Sequence, residues 1–175
     1  FDTNFIVAYI LKSDETHERA ILLEDDENIF DNERYITNHI VDEIVTIIGQ
    51  KSNPEGALKT YRFLKDNFTI INEYDCFDFN DRVMARYNKM NDDKKQKLGF
   101  TDASIIEIAK LFKLDGIVTF DKEFQGNNEV DIISDEGIKH IQYNDDKITV
   151  AMGTYKDVYD KNNQLLFDYD LYVSN

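Results

Sequence analysis

Residues 116–124 read GIVTFDKEF: a short apolar run, Ile117-Val118-Thr119-Phe120, passes straight into Asp121. A run this short, with β-branched and aromatic side chains, predicts a buried strand. An aspartate at its end has an ordinary explanation as a turn residue, because its carboxylate accepts local backbone N–H bonds, and Phe124 could then tuck back under the sheet. The sequence contains several such junctions, and their arrangement decides the fold.

Outward from this stretch, strand-like runs at 34–37, 68–71, 116–120 and 131–134 alternate with segments of helical period at 5–11, 15–24, 39–48, 54–66, 77–89 and 102–112. Asn53-Pro54-Glu55 is a helix start, with Asn as cap, Pro at the first helical position and an acid near the positive end of the helix. Alternation of this kind predicts the α/β class, with a mostly parallel sheet and helices on both faces. After about residue 145 the period changes to two. Ile148, Val150 and Met152 alternate with smaller or polar residues, 160–163 (DKNN) signals a turn, and Leu165, Phe167, Tyr169, Leu171 and Val173 alternate again. That pattern predicts a C-terminal antiparallel β-hairpin. It divides the chain into a unit at 1–140 and an extension at 145–175, which could cover a sheet edge, join a homodimer interface or bind a protein partner.

Composition sets limits on function. With 175 residues, 42% of them hydrophobic, the chain can build one domain with a real core. A single cysteine, Cys76, excludes an internal disulfide framework and a Cys-rich zinc site, and points to a reducing compartment, the cytoplasm. No apolar run reaches the length of a membrane span. The net charge of −15 argues against non-specific binding to a polyanion. Locally the balance reverses, where Arg82, Arg86, Lys89, Lys94, Lys95 and Lys97 outnumber Asp81, Asp92 and Asp93. Arg82, Arg86 and Lys89 share one helical face at spacings of four and three. A solvated face is the plainer reading of that run, and a path for RNA phosphates the functional one.

Four acids stand where strands end or helices begin. Asp2 precedes the apolar helix from Phe5, Asp121 ends the strand quoted above, and Asp102 lies in the first turn of a helix, where capping would be its ordinary role. Glu43 borders the apolar stripe of Ile40, Val41, Ile44, Val45, Ile47 and Ile48, about 40° from Ile47 at 100° per residue, whereas Asp42 lies nearer the middle of the polar side. In doubly wound sheets the ligand crevice lies outside the carboxyl ends of the strands, where such acids could converge. Ionised carboxylates about 5 Å apart repel by about 3 kcal/mol per pair at an effective dielectric near 20, so a cluster of them calls for a cation. Oxygen ligands alone favour Mg²⁺ or Mn²⁺ over zinc, and His17, His39 and His140 show no ligand spacing.

These residues resemble the PIN-domain nucleases, which include VapC-type toxins of toxin–antitoxin pairs. The matching features are Asp2-Thr3-Asn4, Glu43 six residues after Thr37, Phe100-Thr101-Asp102-Ala103, and Thr119-Phe120-Asp121-Lys122-Glu123-Phe124, in order across about residues 1–140. The resemblance implies a three-layer α/β/α fold with a central parallel sheet of strand order 3-2-1-4-5 and cleavage of RNA dependent on Mg²⁺ or Mn²⁺. It also implies an acidic site of Asp2, Glu43, Asp102 and Asp121, catalytic and metal-binding, supported by Asn4 and Thr119. An antitoxin is the protein partner it suggests. The family has a full first strand before the leading aspartate, where this chain has Phe1. A non-catalytic PIN-like module that binds a protein or RNA is the alternative reading, favoured by the acidic surface.

Overall fold

A computed structural model describes residues 1–27, 29–92, 98–144, 147–152, 157–159 and 165–168. Helices α1 (Thr3–Ile10) and α2 (His17–Glu27) lead into strand β1 (Tyr35–Thr37), followed by α3 (Asn38–Lys51), α4 (Pro54–Asn67) and β2 (Thr69–Ile71). Then come α5 (Phe79–Met90), α6 (Phe100–Leu111), β3 (Gly116–Val118) and β4 (Asp131–Ser134). The chain continues as β5 (Gly137–Asn144), β6 (Lys147–Met152), β7 (Asp157–Tyr159) and β8 (Leu165–Asp168). The α/β class follows from this order, with β1 parallel to β2 and β3 parallel to β4. No helix among the described residues is long and apolar enough to cross a membrane.

Local chemistry accounts for the main boundaries. Thr37 Oγ1 accepts from the Ile40 N–H at the start of α3, and Asn53 Oδ1 accepts from the Gly56 N–H, with Pro54 opening α4. The stripe of α3 is buried at Ile40, Val41, Ile44 and Ile48. Helix α6 is buried over the whole of 103–109, including Glu107, so it is the central helix. The core also takes Phe5, Ile6, Ile36, Leu64, Ile117 and Phe124, all essentially inaccessible. Each such side chain contributes about 1.5–3 kcal/mol through burial. Phe124 is fully buried in this core.

Among the described residues the parallel strands form two separate pairs rather than one continuous five-stranded sheet. Residues 1 and 2 stand between them: the Phe1 N–H donates to the Tyr35 carbonyl at 2.9 Å, and the Asp2 N–H donates to the Val118 carbonyl at 3.0 Å. Beyond the parallel part, β4 pairs antiparallel with β5 and β5 with β6, placing Ile141 opposite Val150.

A C-terminal antiparallel pair is present as β7 with β8, and the strand expected to open the hairpin is the part that is corrected. Residues 147–152 pair with 137–144, not with the segment from Leu165, and β8 pairs with β7. The expected turn at 160–163 lies outside the described residues, as does most of the second expected strand beyond residue 168. Period-two alternation fixes which face a side chain takes but not which strand it meets. The partner separated by only two residues closes the smaller loop at the lower entropy cost.

The basic run needs a second correction. Arg86 is only 13% exposed and donates from Nε at 2.9 Å and from Nη2 at 2.6 Å to Glu107, itself buried, while its Nη1 meets Glu129. Arg82 also reaches Glu107, at 2.7 Å, and Lys110 and Lys89 reach Glu129 at 3.0 and 3.8 Å. Arg86 is thus an internal counter-ion tying α5 to α6 and to the segment before β4, not a side chain open to RNA phosphates. A buried carboxylate such as Glu107 needs that partner, since an uncompensated interior charge is costly. Lys94, Lys95 and Lys97 lie outside the described residues.

Candidate active site

Asp2 caps α1, and its carboxylate is almost fully buried. Oδ1 accepts from the Thr3 N–H and Oδ2 from the Thr119 hydroxyl, both at 2.7 Å. Burial pushes its pKa above the ordinary carboxylate range, and these two hydrogen bonds oppose that push. Thr119 is the hub of the site. Its hydroxyl gives its one proton to Asp2 and accepts from the Asp121 N–H at 3.0 Å and from Asn4 Nδ2 at 3.2 Å, which uses its full capacity. Asn4 Oδ1 accepts from the Phe120 N–H at 3.0 Å, so the first turn of α1 holds the segment that follows β3.

Asp121 plays both roles open to an acid at a strand end. Its Oδ1 accepts from the Glu123 N–H at 2.8 Å, capping the 3₁₀ turn Lys122–Gly126. Its carboxylate also joins those of Asp102 and Glu123 in a group in which one oxygen from each lies within 4.8 Å of the other two. Asp102 Oδ2 accepts from the Gly99 N–H at 2.7 Å. A Cβ at residue 99 would lie 3.1 Å from that oxygen, so glycine leaves room for the carboxylate to fold back. Burial first, and then the charges of Asp2, Asp121 and Glu123, raise the Asp102 pKa from 3.8 to about 6.

Glu43 is exposed on α3, and its Oε2 accepts from the Thr3 hydroxyl at 2.6 Å, so it stands one side chain away from Asp2. It lies outside the close group of three. Two residues were missed by sequence reasoning. Glu123 follows Asp121 by two positions in what reads as a plain turn, and only the 3₁₀ geometry returns its side chain to the same edge. Thr3, between Asp2 and Asn4, carries no signal of its own and is identified only by its bond to Glu43.

The donor set is wholly carboxylate, and its spacing lets one ion touch Asp102, Asp121 and Glu123 together, which suits a hard divalent cation. Without a cation the group carries its own repulsion, and pH reveals it. Between pH 3.8 and about 6 the folded protein holds a proton on Asp102 that the unfolded chain has released. Stability from this residue therefore falls as pH rises through that window and stays low above it. In chelator at pH 7.5, Asp102→Asn is expected to be more stable than wild type by about 1–2 kcal/mol, discounted for partial exposure. The gain should vanish near pH 4, and Asp42→Asn should show neither effect. Thermal melts across pH 4–8 decide it; a destabilised Asp102→Asn at neutral pH would make the residue a helix cap and nothing more.

The sequence model of the PIN domain matches residues 1–129. Among solved structures the chain is similar to VapC20 of Mycobacterium tuberculosis, described as a sarcin-ricin loop cleaving toxin, with a TM-score of 0.61 and 16% identity. The match covers 74% of this chain and 94% of that one, and at this identity the likeness is one of fold. No curated protein is significantly similar to the chain in sequence. With the family model spanning most of the chain, this protein belongs to the PIN-domain family.

Proposed function

We propose that the protein is an endoribonuclease that hydrolyses phosphodiester bonds of RNA with Mg²⁺ or Mn²⁺, in a toxin-like or RNA-processing role. The observation that carries this reading is the convergence of Asp102, Asp121 and Glu123 beside the buried Asp2. Family membership supports it, and so does the fold shared with a toxin described as sarcin-ricin loop cleaving.

Asp102, Asp121 and Glu123 would hold the cation, with Asp2 behind them and Glu43 at the rim. A bound divalent ion supplies positive charge against the phosphate and acidifies water. The residues of the chain orient the reacting groups and take up the proton released by attacking water on a carboxylate oxygen. Thr119 and Asn4 keep Asp2 and Asp121 in register. Arg82, 47% exposed and paired with Glu107, and Lys89, 80% exposed and 3.8 Å from Glu129, would contact phosphates along α5 by exchanging those partners. A toxin role would add an antitoxin as protein partner.

The test is incubation of a mixed single-stranded RNA pool with the protein in chelator, in Mg²⁺ and in Mn²⁺, with product ends mapped. Cleavage is expected only with metal. Activity in excess chelator would exclude the metal-dependent mechanism, and stabilisation by Mn²⁺ with no cleavage would favour a non-catalytic binding module.

A further inference from the structure

Phe120 stands between two site residues, Thr119 and Asp121, yet its ring has no chemistry to offer a phosphodiester. It is gripped instead. The Phe5 ring meets it edge-on with centroids 5.6 Å apart, and the Arg19 guanidinium lies 4.8 Å from its centroid. Arg19 is itself fixed, donating from Nη2 to Asp135 Oδ1 at 2.8 Å and from Nε to Asp135 Oδ2. Arg19 comes from α2 and Asp135 directly follows β4, so the grip joins three segments distant in sequence.

We propose that Arg19 is a positioning residue: stacked on Phe120 and locked by a two-pronged bond to Asp135, it fixes the segment 119–121 and thereby the placement of Asp121 in the acidic site. This rests on the nuclease reading above. Phe120 borders a small cavity lined by Arg19, Thr119, Asp121, Lys122 and Asp135, so with Arg19 removed the ring has somewhere to turn. Any backbone shift at Phe120 is passed on to both neighbours, because Thr119 and Asp121 are joined by a hydrogen bond across it. Arginine suits the task because one planar group can stack on a ring and bond a carboxylate through two N–H groups at once, which lysine cannot do.

The experiment compares wild type, Arg19→Leu, Arg19→Lys and Asp135→Asn. Steady-state RNA cleavage in Mn²⁺ is measured alongside Mn²⁺ affinity without RNA, by electron paramagnetic resonance of the free ion. Arg19 is 43% exposed, so the fold should survive its loss, and melts in chelator verify this. Arg19→Leu is expected to lower kcat by about 10- to 100-fold at nearly unchanged KM and to weaken Mn²⁺ binding by about tenfold. Arg19→Lys should recover part of both losses, and Asp135→Asn should lose in the same direction to a smaller extent. Wild-type kcat and Mn²⁺ affinity in Arg19→Leu would overturn the proposal, as would a rise in KM alone, which would mean that Arg19 touches substrate. Should wild type cleave no RNA, the nuclease reading fails, while the Mn²⁺ affinities still decide whether Arg19 positions the site.

Discussion

Asp121→Asn is expected to lower RNA cleavage in saturating Mn²⁺ by at least about 100-fold, which corresponds to about 2.7 kcal/mol of transition-state stabilisation. The substitution is well matched to the question. An asparagine oxygen can still accept from the Glu123 N–H, so the 3₁₀ turn keeps its cap and the backbone path past β3 is retained. What disappears is one charge in a group of three carboxylates. The matched control is Asp42→Asn, an exposed acid beside Glu43 on α3, which should keep most of the wild-type rate. Rates measured at several Mn²⁺ concentrations separate weakened ion binding from slowed chemistry. Similar rates for the two variants, whether both high or both low, would remove Asp121 from the active site.

Arg86→Ala should be the most damaging single change to the fold among the charged residues described. It removes two donors from buried Glu107 and one from Glu129. Breaking a buried pair by deleting one partner costs about 3–5 kcal/mol. Arg82 at Glu107 and Lys110 at Glu129 soften the loss to about 2–4 kcal/mol. Urea unfolding measures it, and a double variant replacing both Arg86 and Glu107 with methionine should recover much of the difference, since the unpaired charge is then gone. A loss below about 0.5 kcal/mol, the level of an ordinary surface substitution, would mean that the network is solvated and that Arg86 is open to RNA after all.

The elements of the parallel part were legible because two periods and a few caps specify them. The Asn53-Pro54 start coincides with α4, and each expected strand overlaps an observed one. The meeting of Asp2, Asp102 and Asp121 could be anticipated from topology, since parallel strands bring their carboxyl ends to one edge. What escaped the sequence depends on tertiary detail. Helical spacing puts Arg82, Arg86 and Lys89 on one face but says nothing of what packs there, and the answer was Glu107 and Glu129. Glu123 needed the short turn after β3, and the Thr3–Glu43 bond needed the relative placement of α1 and α3. The pairing of β5 with β6 was hidden because alternation does not name a partner.

The hydrogen bond from Thr119 to Asp2 spans 117 residues of chain. During synthesis the first helix leaves the ribosome long before Thr119, Asp121 and Glu123 have been added. Until then Asp2 has neither its hydroxyl partner nor the acids that complete the site. Local helix pairs such as α3 with α4 can form early, whereas this contact must wait for a long loop to close. A nascent or truncated chain that stops before β3 lacks Thr119, Asp121 and Glu123 and therefore has no acidic centre, whatever else of it has formed.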